Sequence, residues 1–212
     1  MVIHIGGVMK SKKNTRIRKQ EIVQAALQII GEKGMRDLTI TEIASRAGMS
    51  GANIYRHFRG KQEILAAIGD FIGEAVLGKA IRLAAGEKKA LDKLNAIFRS
   101  HVALIAATPG LPRFIFSEEI HLGDRQLAAG IAGRIAQYVE ILSALIAEGC
   151  RTGEFRPDLA PRETAITLLG MIQFTALRWS ISHGGFSLEA EATRLWKNFQ
   201  RLLQEPPLPE QV

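Results

Sequence analysis

The chain has 212 residues, 47% of them apolar, and a formal net charge of +7; it is long enough to bury a core without metal or disulfide staples and too apolar to be a disordered chain. Its one cysteine, Cys150, cannot form an internal disulfide, which favours a reducing, cytoplasmic setting over secretion. All of the excess charge lies in residues 1–68, which hold twelve Lys and Arg against five Asp and Glu, while the remainder holds sixteen of each; this is the pattern of a polyanion-binding head on a body with another job.

The opening MVIHIGGVMK is weakly apolar, interrupted by glycines and without a basic region ahead of it, so it reads as a poor secretory signal, and Met9 is an alternative start. Residues 1–14 read as a flexible basic arm. No apolar run reaches the ~18 residues of a membrane span, so no membrane partner is expected. Asn14 or Thr15 suits the cap of a first helix to about residue 33, with Ile22, Ala25, Ala26, Ile29 and Ile30 on one face, and Gly34 ends it. Thr39-Ile40-Thr41-Glu42 is a capping-box pattern that opens a short second helix, stopped by Gly48. Ser50 caps a third helix over residues 51–58, and Gly60 and Lys61 open a fourth.

Two short helices joined by Ala47-Gly48-Met49 have the shape of a helix-turn-helix, with a small residue, Ala44, where the helices cross. At about 100° per residue, Ile54 and Phe58 of the third helix point inward, Ala52, Asn53 and Arg56 outward, and Tyr55 and His57 lie on the flanks. A helix in a DNA major groove needs this division: an outer edge for bases and two flanks for the phosphate walls. Small Ser50, Gly51 and Ala52 let the helix start approach DNA closely. Ala52, Asn53 and Arg56 are the candidate base readers, Thr41, Tyr55, His57 and Lys61 the candidate phosphate contacts, and Tyr55 is expected to pack its ring while offering its hydroxyl.

Beyond the head, helices are expected over about 88–107, 111–121, 124–149, 161–182 and 188–203, with a loose Pro-rich tail from 206. The helix from Pro161 is apolar on most sides, and the last helix adds Leu195, Trp196 and Phe199. That suits an interface between two copies, with Ile166, Leu169 and Ile172 contributing, although a core within one chain would read the same. Polar and aromatic groups in apolar context (His101, Phe114, Glu118, His121, Tyr138, Phe174 and Trp179) are the candidate pocket for a hydrophobic or aromatic small molecule. Glu118 and His121 share a helix face, but no second such pair makes a metal site. No Ser/His/Asp or Cys/His set, phosphate-binding loop or dinucleotide fingerprint appears, so no catalytic residue, cofactor or metal is expected, and the chain reads as a non-enzyme.

The stretch LTITEIASRAGMSGANIYRHFRGKQEIL resembles the DNA-binding head of the TetR family of bacterial transcriptional regulators. The resemblance rests on Thr39/Thr41, Ile43–Ala44, Ala47–Gly48, Tyr55, His57–Phe58, Lys61 and Ile64–Leu65; Met49 stands where the family often has Val. It implies an all-α fold: a helix-turn-helix domain over about 15–60, then a larger effector-binding and dimerisation domain over 61–205. It also implies a homodimer on a near-palindromic operator in double-stranded DNA, usually a repressor, released by a small-molecule effector. The other reading kept open is a DNA-bound adaptor that recruits a protein partner without an effector.

Overall fold

The structure, a computed structural model, describes residues 7–205, with side chains from Thr15 onward except those of 121 and 122. Every regular element among the described residues is helical. The helices are α1 (Gly7–Lys33), α2 (Ile40–Arg46), α3 (Gly51–Tyr55), α4 (Lys61–Gly73), α5 (Lys79–Ala84), α6 (Ala90–Ala107), α7 (Gly110–Ile115), α8 (Arg125–Thr152), α9 (Pro161–Ile181) and α10 (Leu188–Gln204), with π turns at Glu74–Gly78 and Glu119–Gly123. The chain divides into two compact units. One runs to Phe71 and includes Thr108–Ala128; the other comprises Ile72–Ala107 and the chain from Ala129 on.

The first unit is built from local signals. Gly34, with φ +88°, takes the left-handed conformation that stops α1. The Thr39 hydroxyl caps α2 by accepting from the Glu42 amide at 3.1 Å. The Glu42 carboxylate does not reach back as a capping box would; it accepts from Lys33 at 2.8 Å. Gly48, φ +63°, makes the reversal between α2 and α3. Ile22, Ile29, Ile30, Ile43, Ile54, Phe58, Ile64 and Ile68 form the core under these helices, each at most 2% exposed. α7 returns to this unit and crosses α1 at two glycines: a Cβ on Gly110 would sit 2.0 Å from the Leu27 carbonyl oxygen, and one on Gly31 2.9 Å from the Gly110 amide nitrogen.

Two expectations change here. α1 begins at Gly7, not at Asn14 or Thr15. Lys and Arg around these polar residues are good helix formers, and neither proline nor glycine interrupts the segment before Gly31, so residues 7–14 continue the helix where a flexible arm was expected. Residues 1–6 and the tail from 206 lie outside the described residues. α3 ends at Tyr55, short of Phe58, although the Phe58 amide still donates to the Ile54 carbonyl at 3.0 Å and keeps its side chain on the inward face.

The second unit packs α6, α8, α9 and α10 around Leu94, Ile97, Phe98, Tyr138, Leu142, Ile146, Leu168, Trp196 and Phe199. Ser187 caps α10 by accepting from the Ala190 amide at 3.2 Å. α8 was not expected to hold a long apolar run, yet it has an 18-residue window of mean hydropathy 1.3, long and apolar enough to cross a membrane by length and composition. It buries one side, with Ile131, Tyr138, Val139, Leu142, Leu145 and Ile146 in the core, and a third of that window is buried.

Candidate nucleic-acid interface

The recognition segment divides as its periodicity requires. Ile54 and Phe58 are 0% and 2% exposed, and they fix α3 to the core. Ala52, Tyr55 and Arg56 are exposed, with Tyr55 at 58%. The Tyr55 ring therefore does not pack as expected, because the short helix spends its inward positions on Ile54 and Phe58. Gly51, Asn53 and His57 are half-buried, and Thr41 is exposed at the second position of α2. The Ser50 hydroxyl is already committed: it accepts from the Asn53 amide at 3.2 Å, so its first job is to start α3. Lys61 is half-buried, with Nζ donating to the Met35 carbonyl at 3.5 Å. Nδ1 of His57 is buried without a hydrogen-bond partner.

The charges of this unit are arranged so that the excess faces outward. Its carboxylates are largely occupied. Glu21 pairs with Arg18 at 2.7 Å, Glu42 with Lys33 at 2.8 Å, and Glu32 with Arg46 through two bonds of 2.8 and 2.6 Å. The Arg46 guanidinium, donating to Glu32, holds that carboxyl below its usual range. Glu63 accepts from the Arg59 amide at 2.7 Å. Among the described side chains no carboxylate pairs with Arg16, Arg36, Arg56 or Arg59, and all four are exposed. A surface with fixed acids neutralised and arginines unpaired attracts phosphate. Sequence reasoning named Arg56 alone of these, since pairing is a property of the folded surface.

In the second unit the candidate pocket residues part company. His101 and Tyr138 are both buried and meet, with the His101 Nδ1 3.2 Å from the Tyr138 hydroxyl and their rings edge to face at 5.5 Å. Burial pulls His101 down to about 4 and pushes the Tyr138 hydroxyl up. Trp179 is half-buried, and Phe174, expected in a pocket wall, is 64% exposed on α9. Phe114 lies in the core of the first unit at 0% exposure, and Glu118 is exposed there. The side chain of His121 lies outside the described residues.

The second unit does hold an apolar cavity of about 10 Å³, lined by Phe98, Val102, Ile105, Met171, Ile172, Thr175, Leu188, Ala192 and Leu195. That is close to the room of a single water molecule. The Thr175 hydroxyl donates to the Met171 carbonyl at 2.7 Å, so its one polar side chain is occupied. Phe98, Ile105 and Ile172, apolar residues that the sequence makes available for a pocket wall, line it, whereas His101, Phe114, Glu118, Tyr138, Phe174 and Trp179 do not.

Three of the expected dimer residues are corrected by their burial. Ile172, Trp196 and Phe199 are 2%, 4% and 1% exposed. Trp196 stacks at 5.3 Å on Phe98 and 6.0 Å on Phe199, and Ile172 walls the cavity. α9 is apolar all round, and its inner side is consumed by the core of its own chain. Leu169 and Leu195 are half-buried, while Ile166, with Phe174 and Ile181, stays on the outside of α9.

Among known proteins, residues 22–68 match the family profile described as bacterial regulatory proteins, tetR family, and residues 87–203 match a tetracyclin repressor-like C-terminal domain. The chain is 26% identical over 183 residues to the fatty acid metabolism regulator protein of Bacillus subtilis (strain 168), covering 84% of this chain and 91% of that protein. It is 25% identical over 193 residues to the nucleoid occlusion factor SlmA of Vibrio campbellii, covering 89% and 96%. Its fold matches that of the regulator FadR from Bacillus subtilis, solved in complex with stearoyl-CoA, with a TM-score of 0.71 at 22% identity over 87% of this chain and 99% of that one.

Proposed function

This chain belongs to the TetR family of bacterial transcriptional regulators, and from that premise we propose that it is a homodimeric repressor released from a near-palindromic operator by an apolar small-molecule effector. The observation that carries the DNA half of this reading is the outer face of α3 and its turn, where Tyr55, Arg56 and Arg59 are exposed and, among the described side chains, neither arginine meets a carboxylate. Arg56 and Asn53 read base edges; Tyr55, His57, Thr41 and Lys61 hold phosphates; Ser50, Gly51 and Ala52 keep the approach close. A single short helix reads few base pairs, so two heads related by a two-fold axis supply the specificity.

The effector half rests on the apolar cavity and on the relatives. A lining with no free polar group suits an aliphatic chain. FadR is described in complex with stearoyl-CoA, which makes long-chain acyl thioesters the first class to test. Entry of a chain requires the ~10 Å³ cavity to open, and repression ends if the opened state is the one whose heads miss the operator. The test is to select bound duplexes from a random pool, then titrate acyl-CoA of increasing chain length into the complex. Release that strengthens with chain length supports the reading; a complex indifferent to every chain length removes the effector half.

The narrowness of that cavity favours a second reading. A cavity with room for about one water suits an adaptor that holds a protein partner on DNA, and one relative bears the name nucleoid occlusion factor. An operator complex that ignores acyl chains yet retains a partner protein would select this reading.

A further inference from the structure

Two polar pairs cross the seam between α6 and α8: Lys93 with Glu148, and His101 with Tyr138, an order that makes the two helices antiparallel. Lys93 is buried and its ammonium donates to the Glu148 carboxylate at 3.2 Å, so its charge is taken. The second pair differs. His101 and Tyr138 are 5% and 3% exposed, and the hydroxyl meets Nδ1 at 3.2 Å. The other ring nitrogen, Nε2, makes no hydrogen bond among the described residues. It is not sealed in either, because among the described side chains His57 Nδ1 is the one fully buried polar atom without a partner. A core that needed only volume would be served by an apolar ring, and an open polar nitrogen inside it weakens the fold.

The ring stands at the edge of the apolar cavity. Phe98, Val102 and Ile105 of α6 line that cavity. At about 100° per residue, His101 lies about 60° from Phe98 and about 40° from Ile105 around the same helix, on the flank that meets α8. Burial keeps the imidazole neutral by pulling it down to about 4. A neutral imidazole has a single N–H. With the Tyr138 hydroxyl donating to Nδ1, that N–H sits on Nε2, open to an acceptor. We infer that Nε2 of His101, held in this tautomer by Tyr138, is the polar anchor of the effector site and donates to the carbonyl oxygen of an acyl thioester whose chain fills the cavity. A free carboxylate fits poorly: neither member of the pair carries charge, and the ammonium of Lys93 already holds Glu148. This inference rests on the acyl-effector reading above and adds which atom of that effector is read.

The test titrates the full chain with two probes in a calorimeter: dodecanoyl-CoA, and S-dodecyl-CoA, in which a methylene replaces the carbonyl. Wild type should bind the thioester about tenfold more tightly than the thioether, the value of one hydrogen bond to a donor otherwise left open. His101→Phe should bind the two within about twofold of each other. The readout is this preference, which a merely structural loss would leave in place while weakening both probes. Thr175→Val is the control: its hydroxyl lines the cavity but is engaged by the Met171 carbonyl, so the preference should survive. Should His101→Phe fail to fold, wild type labelled with nitrogen-15 at histidine carries the test, and the thioester alone should shift the Nε2 resonance of His101. The inference falls if wild type binds both probes equally, if His101→Phe keeps the preference, if Thr175→Val loses it as fully, or if that resonance answers both probes alike. In each of those outcomes binding of the probes to wild type leaves the acyl-effector reading standing; if wild type binds neither, both fall together.

Discussion

Arg56 and His101 lie at opposite ends of what a single side chain can do here. Arg56 is exposed and touches no carboxylate, so the fold has no use for it. Arg56→Ala should leave thermal stability within about 0.5 kcal/mol while cutting operator affinity by roughly 5- to 150-fold, the value of a good bidentate base contact; anisotropy titrations alongside melting curves measure both. Ser50→Ala should differ by losing stability as well, about 1 kcal/mol, because the hydroxyl caps α3. His101 works for the fold through its protonation. Its folded value is near 4, below the ordinary 6.5, because burial disfavours the charged form. The unfolded chain therefore takes up the proton first as pH falls. The stability that neutral His101 permits is complete above about pH 6.5 and declines toward pH 4, by about 1.4 kcal/mol per pH unit in that window. Between pH 6.5 and pH 4 the melting temperature of wild type should fall more steeply than that of His101→Phe, because the variant lacks both the contact to Tyr138 and the group that takes up the proton. Equal acid slopes in the two proteins would remove His101 as the source.

At the scale of elements, the caps and reversals of the head were legible because their causes are local: Thr39, Ser50 and Gly48 act on their immediate neighbours. The crossing of α1 and α7 was not legible, since it joins Gly31 to Gly110 across almost eighty positions and nothing near either glycine announces the other. Gly110→Ala would place a methyl group 2.0 Å from a main-chain oxygen that no side-chain rotation can move. A cost of about 1–3 kcal/mol or more is expected from such overpacking, read as a lowered denaturant midpoint. Gly130→Ala on α8 has open space around the added methyl and should gain up to about 1 kcal/mol from helix propensity. A Gly110→Ala protein as stable as wild type would mean that α7 does not rest on α1 as described. The early start of α1 escaped sequence reading for a related reason: Asn14 and Thr15 are permitted caps, but a cap signal does not oblige a helix to begin.

At the scale of the molecule, sequence separated a charged head from a neutral body and left the faces of the body unassigned. A helix apolar on every side states that it is buried twice without stating which side meets its own chain, so Ile172, Trp196 and Phe199 were placed at an interface when they belong to the core. The structure leaves Ile166, Phe174 and Ile181 of α9 at 46%, 64% and 69% exposure, with Leu202 of α10 at 58%. With Gly170, the α9 residues fall at i, i+4, i+8 and i+15, one stripe along the helix. A two-fold axis through the middle of such a stripe sets Phe174 near its own copy. Phe174→Glu would then bring two carboxylates together in an apolar setting, a desolvation cost with no compensating partner. The protomer has no reason to notice, because Phe174 is outside its core. Sedimentation should therefore find wild type as a dimer and Phe174→Glu as a monomer with the same helical content. Operator affinity should fall, since each head would have to bind without the other. Trp196→Ala should behave differently, unfolding the protomer by about 3–5 kcal/mol through a buried cavity. If Phe174→Glu stayed dimeric while Ile135→Glu, at a 43% exposed site on α8, came apart, the two copies would meet through α8 instead.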